Sequence, residues 1–310
     1  MRTERVRCVP TLAALAALAV LALGCGGSSG PPPGSIYERA TVLQQSGVSA
    51  ALRGDLERAA EFQAQAVNAY RSVDDTAGAA ASLNRLGNLK QRLGDDPGAR
   101  RAYSEALSLS RRAGERGEEA AAESNLGTLL EESGDRAGAR VHYERARAIA
   151  VEVEAPAIEA AALNNLALLA GGQGDDASAR KLLEDAIELD RAAAEAAGLA
   201  VRLRNLGALE MRAGRLDAAT RALEEAHSID RKREDMLGIA LDLVALSEIR
   251  ARAGDAMGAV SDRRRALEIH SLLGLDGDVR ADRAALDQWC EPLRDEIDCE
   301  LLKAIRSSHP

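Results

Sequence analysis

The sequence predicts an all-α fold, a solenoid of stacked antiparallel helix pairs. Three observations carry that prediction. Gly54, Gly94, Gly134, Gly174, Gly214 and Gly254 recur every 40 residues, and a fixed period in this range marks a stacked repeat architecture. Alanine columns keep the same register, from Ala40 to Ala240, from Ala59 to Ala259 and from Ala66 to Ala266. The composition is dominated by Ala, Leu, Arg and Glu, all good helix formers, and its 8 prolines lie mostly outside the repeat interior.

The second unit shows what one repeat is. Ala80, Leu83, Leu86, Gly87 and Leu89 form a stripe wide enough for a buried helix face. Gly94 then accepts the left-handed conformation that ends a helix, and the Asp95 carboxylate caps the next one. A second stripe follows at Ala99, Ala102, Tyr103, Ala106 and Leu109. Other copies agree: Leu86, Leu126, Leu166, Leu206 and Leu246 are all leucine, and Gly87, Gly127, Ala167, Gly207 and Ser247 are all small. Burying one leucine contributes roughly 1.5–3 kcal/mol. Each unit exposes its apolar face until a neighbour covers it, so six units fold as one cooperative stack.

These residues resemble the tetratricopeptide repeat. The Leu-Gly pair at Leu86-Gly87, the Gly-Asp turn, the alanine four residues after Asp95 and the aromatics Tyr103 and Tyr143 carry the resemblance, over residues 36–275. It implies a right-handed superhelix whose first helices line a concave groove. The family usually repeats every 34 residues. Here the period is 40, and the proline that closes the second helix is replaced by Arg111, Val151, Arg191 and Arg231. The simplest account is a second helix longer by about one turn and a longer outer loop. The pattern Leu163 to Ala167 is closest to a longer, Asn-rich variant of the family, and the aromatic column is lost at Gln63, Leu183, Leu223 and Arg263.

Residues 1–24 read as an export signal: a short basic leader, then an apolar run from Val9 to Leu23 that is too short for an ordinary span. Leu21-Ala22-Leu23-Gly24-Cys25 resembles the lipobox of bacterial lipoproteins. That resemblance implies cleavage before Cys25, acyl chains on this residue and anchorage to a membrane, where several chains hold stably. Residues 25–35 are a Gly/Ser/Pro tether with nothing to bury, reaching at most ~35 Å. Gly26 follows the anchor where an Asp would resemble an inner-membrane retention signal. The implied location is the bacterial cell envelope, at the outer membrane and facing the periplasm.

Past residue 275 the period fails. Residues 276–310 read as capping helices, Val279 to Trp289 and Pro292 to Ile305, with Trp289 plugging the end of the stack. Cys290 and Cys299 are compatible with one disulfide or with two separate thiols.

The family resemblance places Asn125, Asn165 and Asn205 in one groove-facing column, with Arg85 in the second repeat and Ala245 in the sixth; Asn84, Asn164 and Arg204, one residue earlier, are expected to border the groove and bind the partner as well. A carboxamide offers donors and an acceptor to a peptide backbone. Two readings stand: an asparagine ladder that binds a partner, or asparagines that bond between neighbouring repeats. Residues one turn on change from copy to copy, from Gln91 and Arg92 to Glu131 and Glu132, Gly171 and Gly172, then Met211 and Arg212, and would set specificity. Arg204 and Arg212 would supply part of a basic clamp for a terminal carboxylate.

No catalytic motif or phosphate-cradling loop is present, the four histidines are scattered, and neither a cofactor nor a metal is expected. A net charge of −9 argues against nonspecific nucleic-acid binding. The expected function is a membrane-anchored scaffold or adaptor in an envelope complex, taking partner peptides in its groove. The alternatives are an accessory regulatory subunit of an envelope hydrolase or secretion machine, and a structural spacer.

Overall fold

The structure, a computed structural model, describes residues 34–290. The lipidation candidate Cys25, its tether up to residue 33, Cys299 and the second capping helix lie outside the described residues.

Helices fill almost all of the chain between these limits. Six antiparallel pairs follow one another: α1 (Ile36–Leu52) with α2 (Leu56–Arg71), α3 (Thr76–Arg92) with α4 (Asp96–Ala113), α5 (Arg116–Glu132) with α6 (Arg136–Glu152). Then come α7 (Pro156–Gly172) with α8 (Asp176–Ala192), α9 (Ala196–Arg212) with α10 (Leu216–Arg233), and α11 (Met236–Arg252) with α12 (Ala256–Leu273). A last helix, α13 (Asp276–Cys290), covers the sixth pair. Each helix packs on its predecessor and its successor. This is an α-solenoid, as the alternating stripes predict.

The backbone repeats twice as often as the sequence. A residue of positive φ occurs every 20 positions, from Gly34 through Gly54, Asp74 and Gly94 to Gly274. Each such residue ends one turn, and the next residue starts a new helix. Glycine supplies the left-handed geometry at every turn within a pair, for example Gly94 at φ 77° and Gly134 at φ 89°. Between pairs the same geometry falls on Asp74, Glu154, Ala194 and Glu234 in four of six cases. The outer loop is therefore not lengthened, contrary to expectation. Connections within and between pairs are equally short, and the 40-residue period is absorbed by helices of 16 to 18 residues on both sides of each pair.

The expected caps form. Asp95 Oδ1 accepts from the Gly98 N–H at 2.9 Å, Asp135 from Gly138 at 2.9 Å, Asp175 from Ser178 at 3.1 Å and Asp255 from Gly258 at 2.9 Å. Asp75 and Asp235 do the same at inter-pair turns. Arg215 stands in the fifth copy, where no side chain caps the helix.

Within a pair, the small column receives the aromatic one. A methyl on Gly87 would lie 2.3 Å from the Tyr103 ring, and one on Gly127 would lie 2.6 Å from Tyr143. Leu223 fills the same place against Gly207, and Gln63 against Gly47. The missing aromatics are thus replaced by other side chains in the same socket.

Between pairs, one buried position changes its chemistry along the stack. Ser110 and Ala122, then Ala150 and Ala162, are wholly buried and small at the second-to-third and third-to-fourth junctions. The matching positions further on are charged. Asp190 Oδ2 lies 3.2 Å from Arg202 Nε, Asp230 and Asp242 share Arg204, and His270 Nδ1 lies 2.7 Å from Asp282 Oδ2 beside Arg263. Burial pushes the carboxyls of Asp190 and Asp242 up, Asp242 to about 6, against the lowering pull of their arginines. At the end of the stack Trp289 packs on a cluster of Val260, Leu267, Val279, Leu286 and the buried Cys290, and the Arg263 guanidinium sits 5.1 Å from its ring centre.

Candidate functional site, the inner face of the first helices

First helices of successive pairs touch one another, α3 to α5, α5 to α7, α7 to α9 and α9 to α11, whereas second helices stand further apart. The first helices therefore form the inner wall of the stack. Their other faces are used up in packing. On α7, Leu163, Asn164, Leu166, Ala167, Leu169 and Ala170 are buried, which leaves Ala161, Asn165 and Leu168 on one open stripe. Four columns make up this strip, at the positions of Ala81, Arg85, Asn88 and Arg92 in the second repeat.

The strip divides the candidate asparagines by role. Asn125 is half-buried in the strip and makes no hydrogen bond to the protein among the described residues. Asn165 is also half-buried and accepts from Asn164 Nδ2 at 3.4 Å, leaving its own amide hydrogens toward the strip. Asn205 Nδ2 donates to Asn164 Oδ1 at 2.7 Å, across the boundary between the fourth and fifth repeats. The preceding column faces inward. Asn164 is 8% exposed, and Asn84, 5% exposed, donates to the carbonyl and carboxylate of Glu118 on the next repeat. The asparagines thus divide: Asn125 presents its whole amide and Asn165 its amide hydrogens, while Asn84, Asn164 and Asn205 bond between repeats, so Asn84 and Asn164 do not border the groove as expected.

The arginines divide in the same way. Arg204 is locked between Asp230 and Asp242, and Arg212 reaches Asp176 at 3.3 Å, so these two do not converge on one free carboxylate site. Arg85 and Arg92 are exposed and form no ion pair or hydrogen bond among the described residues. They flank a pocket with Val48, Ala51, Asn88 and Leu89, and Gln63 at its floor. Asn88 Oδ1 accepts from the Tyr103 hydroxyl at 2.6 Å, which turns its amide hydrogens outward. At the far end the strip becomes apolar: Leu168, Val201, Leu237 and Leu241 are each 39–48% exposed. Asn88, Leu168, Val201 and Leu241 are not among the residues that the sequence pattern singles out, although each lies on a 40-residue column beside the asparagines.

Among the described residues no cluster of three or more His, Cys, Asp or Glu could hold a metal ion, and no helix is long and apolar enough to cross a membrane.

A family model described as tetratricopeptide repeat matches residues 78–152 and 158–232. The chain carries tetratricopeptide repeats. The matched segments span the second to fifth pairs, where the columns are most regular. No curated protein matches the chain at a significant level. Solved structures resemble the tetratricopeptide stack as a fold. BtubC from P. vanneervenii is 22% identical, with a TM-score of 0.56, and the match covers 72% of this chain and 91% of that one. PilW, a widely conserved type IV pilus biogenesis factor, is 18% identical with a TM-score of 0.53, covering 72% and 90%. A Rap protein complexed with competence and sporulation factor is 14% identical with a TM-score of 0.61, covering 83% and 76%. Stacks of this kind carry extended concave binding surfaces.

Proposed function

We propose that this chain is a protein-interaction scaffold that holds an extended segment of a partner protein on the inner strip of its first helices. The observation that carries the reading is the Asn125 amide, which bonds no protein group among the described residues, followed 40 residues on by the amide hydrogens of Asn165. Both lie on the stripe of their helices that packing leaves open. Their carboxamides can pair with a peptide backbone without demanding a sequence. The Rap protein crystallised with a bound factor and the pilus biogenesis factor PilW support a scaffold on this architecture. We further propose that Cys25 anchors the scaffold to the bacterial envelope membrane, on the strength of the lipobox-like Leu21 to Cys25.

Crosslinking and affinity capture from envelopes test the first part, comparing wild type with Asn125→Ala/Asn165→Ala/Asn205→Ala. Equal recovery of every partner would sink the strip as a binding surface and favour the structural spacer. Fatty-acid analogue labelling tests the anchor: the label is expected to vanish in Cys25→Ser, and retained label refutes it.

A further inference from the structure

We infer that the strip reads its peptide in a fixed order, with acidic side chains over the first two repeats and aliphatic side chains over repeats four to six. This deepens the scaffold reading and rests on it. The chain has a net charge of −9, and nearly all its buried and half-buried arginines are held by carboxylates. Arg85 and Arg92 are exposed instead, and what sets them apart is that both flank one pocket on the strip. They stand two turns apart on one face of α3, both without a partner among the described residues, on either side of Asn88.

A second observation at the same pocket points to a ligand. Gln63 is 1% exposed and its Nε2 donates to the Gln44 carbonyl at 3.0 Å, but its Oε1 has no partner among the described residues. A buried acceptor left unmade costs about 1–3 kcal/mol. Two free guanidinium groups with a nearby empty acceptor suit a carboxylate side chain carried on a backbone N–H. Glu132, on the next repeat, forms no ion pair with either arginine among the described residues; its carboxylate accepts from Gln91 Nε2 at 2.6 Å.

At the opposite end the Arg92 column holds Arg212, paired with Asp176, and Arg252, which donates to the Met211 carbonyl, while the other three columns offer no free charge among the described residues. Leu168, Val201 and Leu241 follow one another on α7, α9 and α11, and Leu237 lies one turn from Leu241. Exposed aliphatic residues thus recur on three first helices at this end, Val201 and Leu241 in one column and Leu168 two turns along, which favours aliphatic ligand groups. Touching first helices set each repeat roughly 10 Å from the next. Arg85 and Leu241 are four repeats apart, hence roughly 40 Å, the reach of about twelve extended residues.

The test selects from a phage-displayed library of random 16-residue peptides on the immobilised full chain. Selected sequences are then synthesised with free-acid and amidated C-termini and measured by fluorescence anisotropy. Enrichment of Asp or Glu at one end and Leu, Ile or Val at the other is expected. Arg85→Glu/Arg92→Glu should weaken these peptides at least tenfold in low salt, with a smaller loss at high salt. Leu241→Asp should weaken them tenfold at either salt, and amidation should change little. All three substituted residues are exposed, and circular dichroism checks that the variants remain folded.

Peptides that bind only as free acids, lack acidic residues, or ignore the charge reversal overturn the ordered reading. If such peptides still lose affinity in Asn125→Ala/Asn165→Ala, the scaffold strip stands and only its order falls. If no selected peptide depends on either set, both readings fall.

Discussion

Arg204 Nε donates to Asp242 Oδ1 at 2.7 Å while Nη2 of the same side chain donates to Asp230 Oδ2 at 2.5 Å. One guanidinium thus joins two buried carboxylates from α10 and α11 at the junction of the fifth and sixth repeats. Arg233 adds a third contact, to Asp230 Oδ1 at 2.9 Å. The arrangement removes Arg204 from the strip and makes it part of the stack's cohesion.

Its pH dependence follows from Asp242, whose carboxyl burial pushes up to about 6 from 3.8. The folded state then binds a proton more tightly than the unfolded chain. The group favours folding below pH 4, and that advantage is lost as pH rises through 6. Asp242→Asn removes the titration but keeps an acceptor for Arg204. Wild-type stability relative to this variant should fall between pH 4 and 6, by no more than about 2 kcal/mol, and level off above. Denaturant titrations of both proteins across that range would show it, and a constant difference would count against it.

Asp190 and Arg202 give a second junction to dissect. Arg202→Ala leaves a wholly buried carboxylate without its cation and should cost about 3–5 kcal/mol at neutral pH. Asp190→Ala/Arg202→Ala recreates the Ala150 and Ala162 pair of the junction before, and should be milder than the single variant. A double-mutant cycle on urea unfolding measures this; a double variant worse than Arg202→Ala would contradict it.

Ala194 holds φ 55° where the intra-pair turns use glycine. Ala194→Gly should raise stability by about 1 kcal/mol, since a left-handed alanine costs roughly 1–2 kcal/mol. The readout is the urea midpoint at unchanged slope. Gly134→Ala, at φ 89°, should move it the other way.

Gly87→Ala would drive a methyl into the Tyr103 ring and should cost roughly 1–3 kcal/mol. Adding Tyr103→Leu reproduces the Ala167 and Leu183 pairing that the fourth repeat already carries, with both residues buried. Thermal unfolding should show partial recovery in the double variant.

Much of this architecture is legible from spacing alone. Gly94 and Asp95 announce a turn and a cap because left-handed backbone and an N-cap carboxylate are local demands, met by residues next to each other in the chain. The small column at Gly87 and the aromatic at Tyr103 announce a socket, because both recur in one register. The hidden half of the backbone period is not legible, since Asp74, Glu154, Ala194 and Glu234 share no side-chain chemistry that signals positive φ.

The candidate strip is less legible. Asn125, Asn165 and Arg85 stand out by their column, yet Asn84 and Asn164, one residue earlier, face the neighbouring repeat. One residue is about 100° around a helix, so adjacent columns divide between groove and junction, and only the packed neighbours decide which. Periodicity by itself determined a stack of helix pairs and the shared column of Asn125, Asn165 and Asn205, of which Asn205 bonds across a junction. The tertiary structure decided which charges are spent inside, because Arg202, Arg204 and Arg263 meet carboxylates from other helices while Arg85 and Arg92 meet none among the described residues.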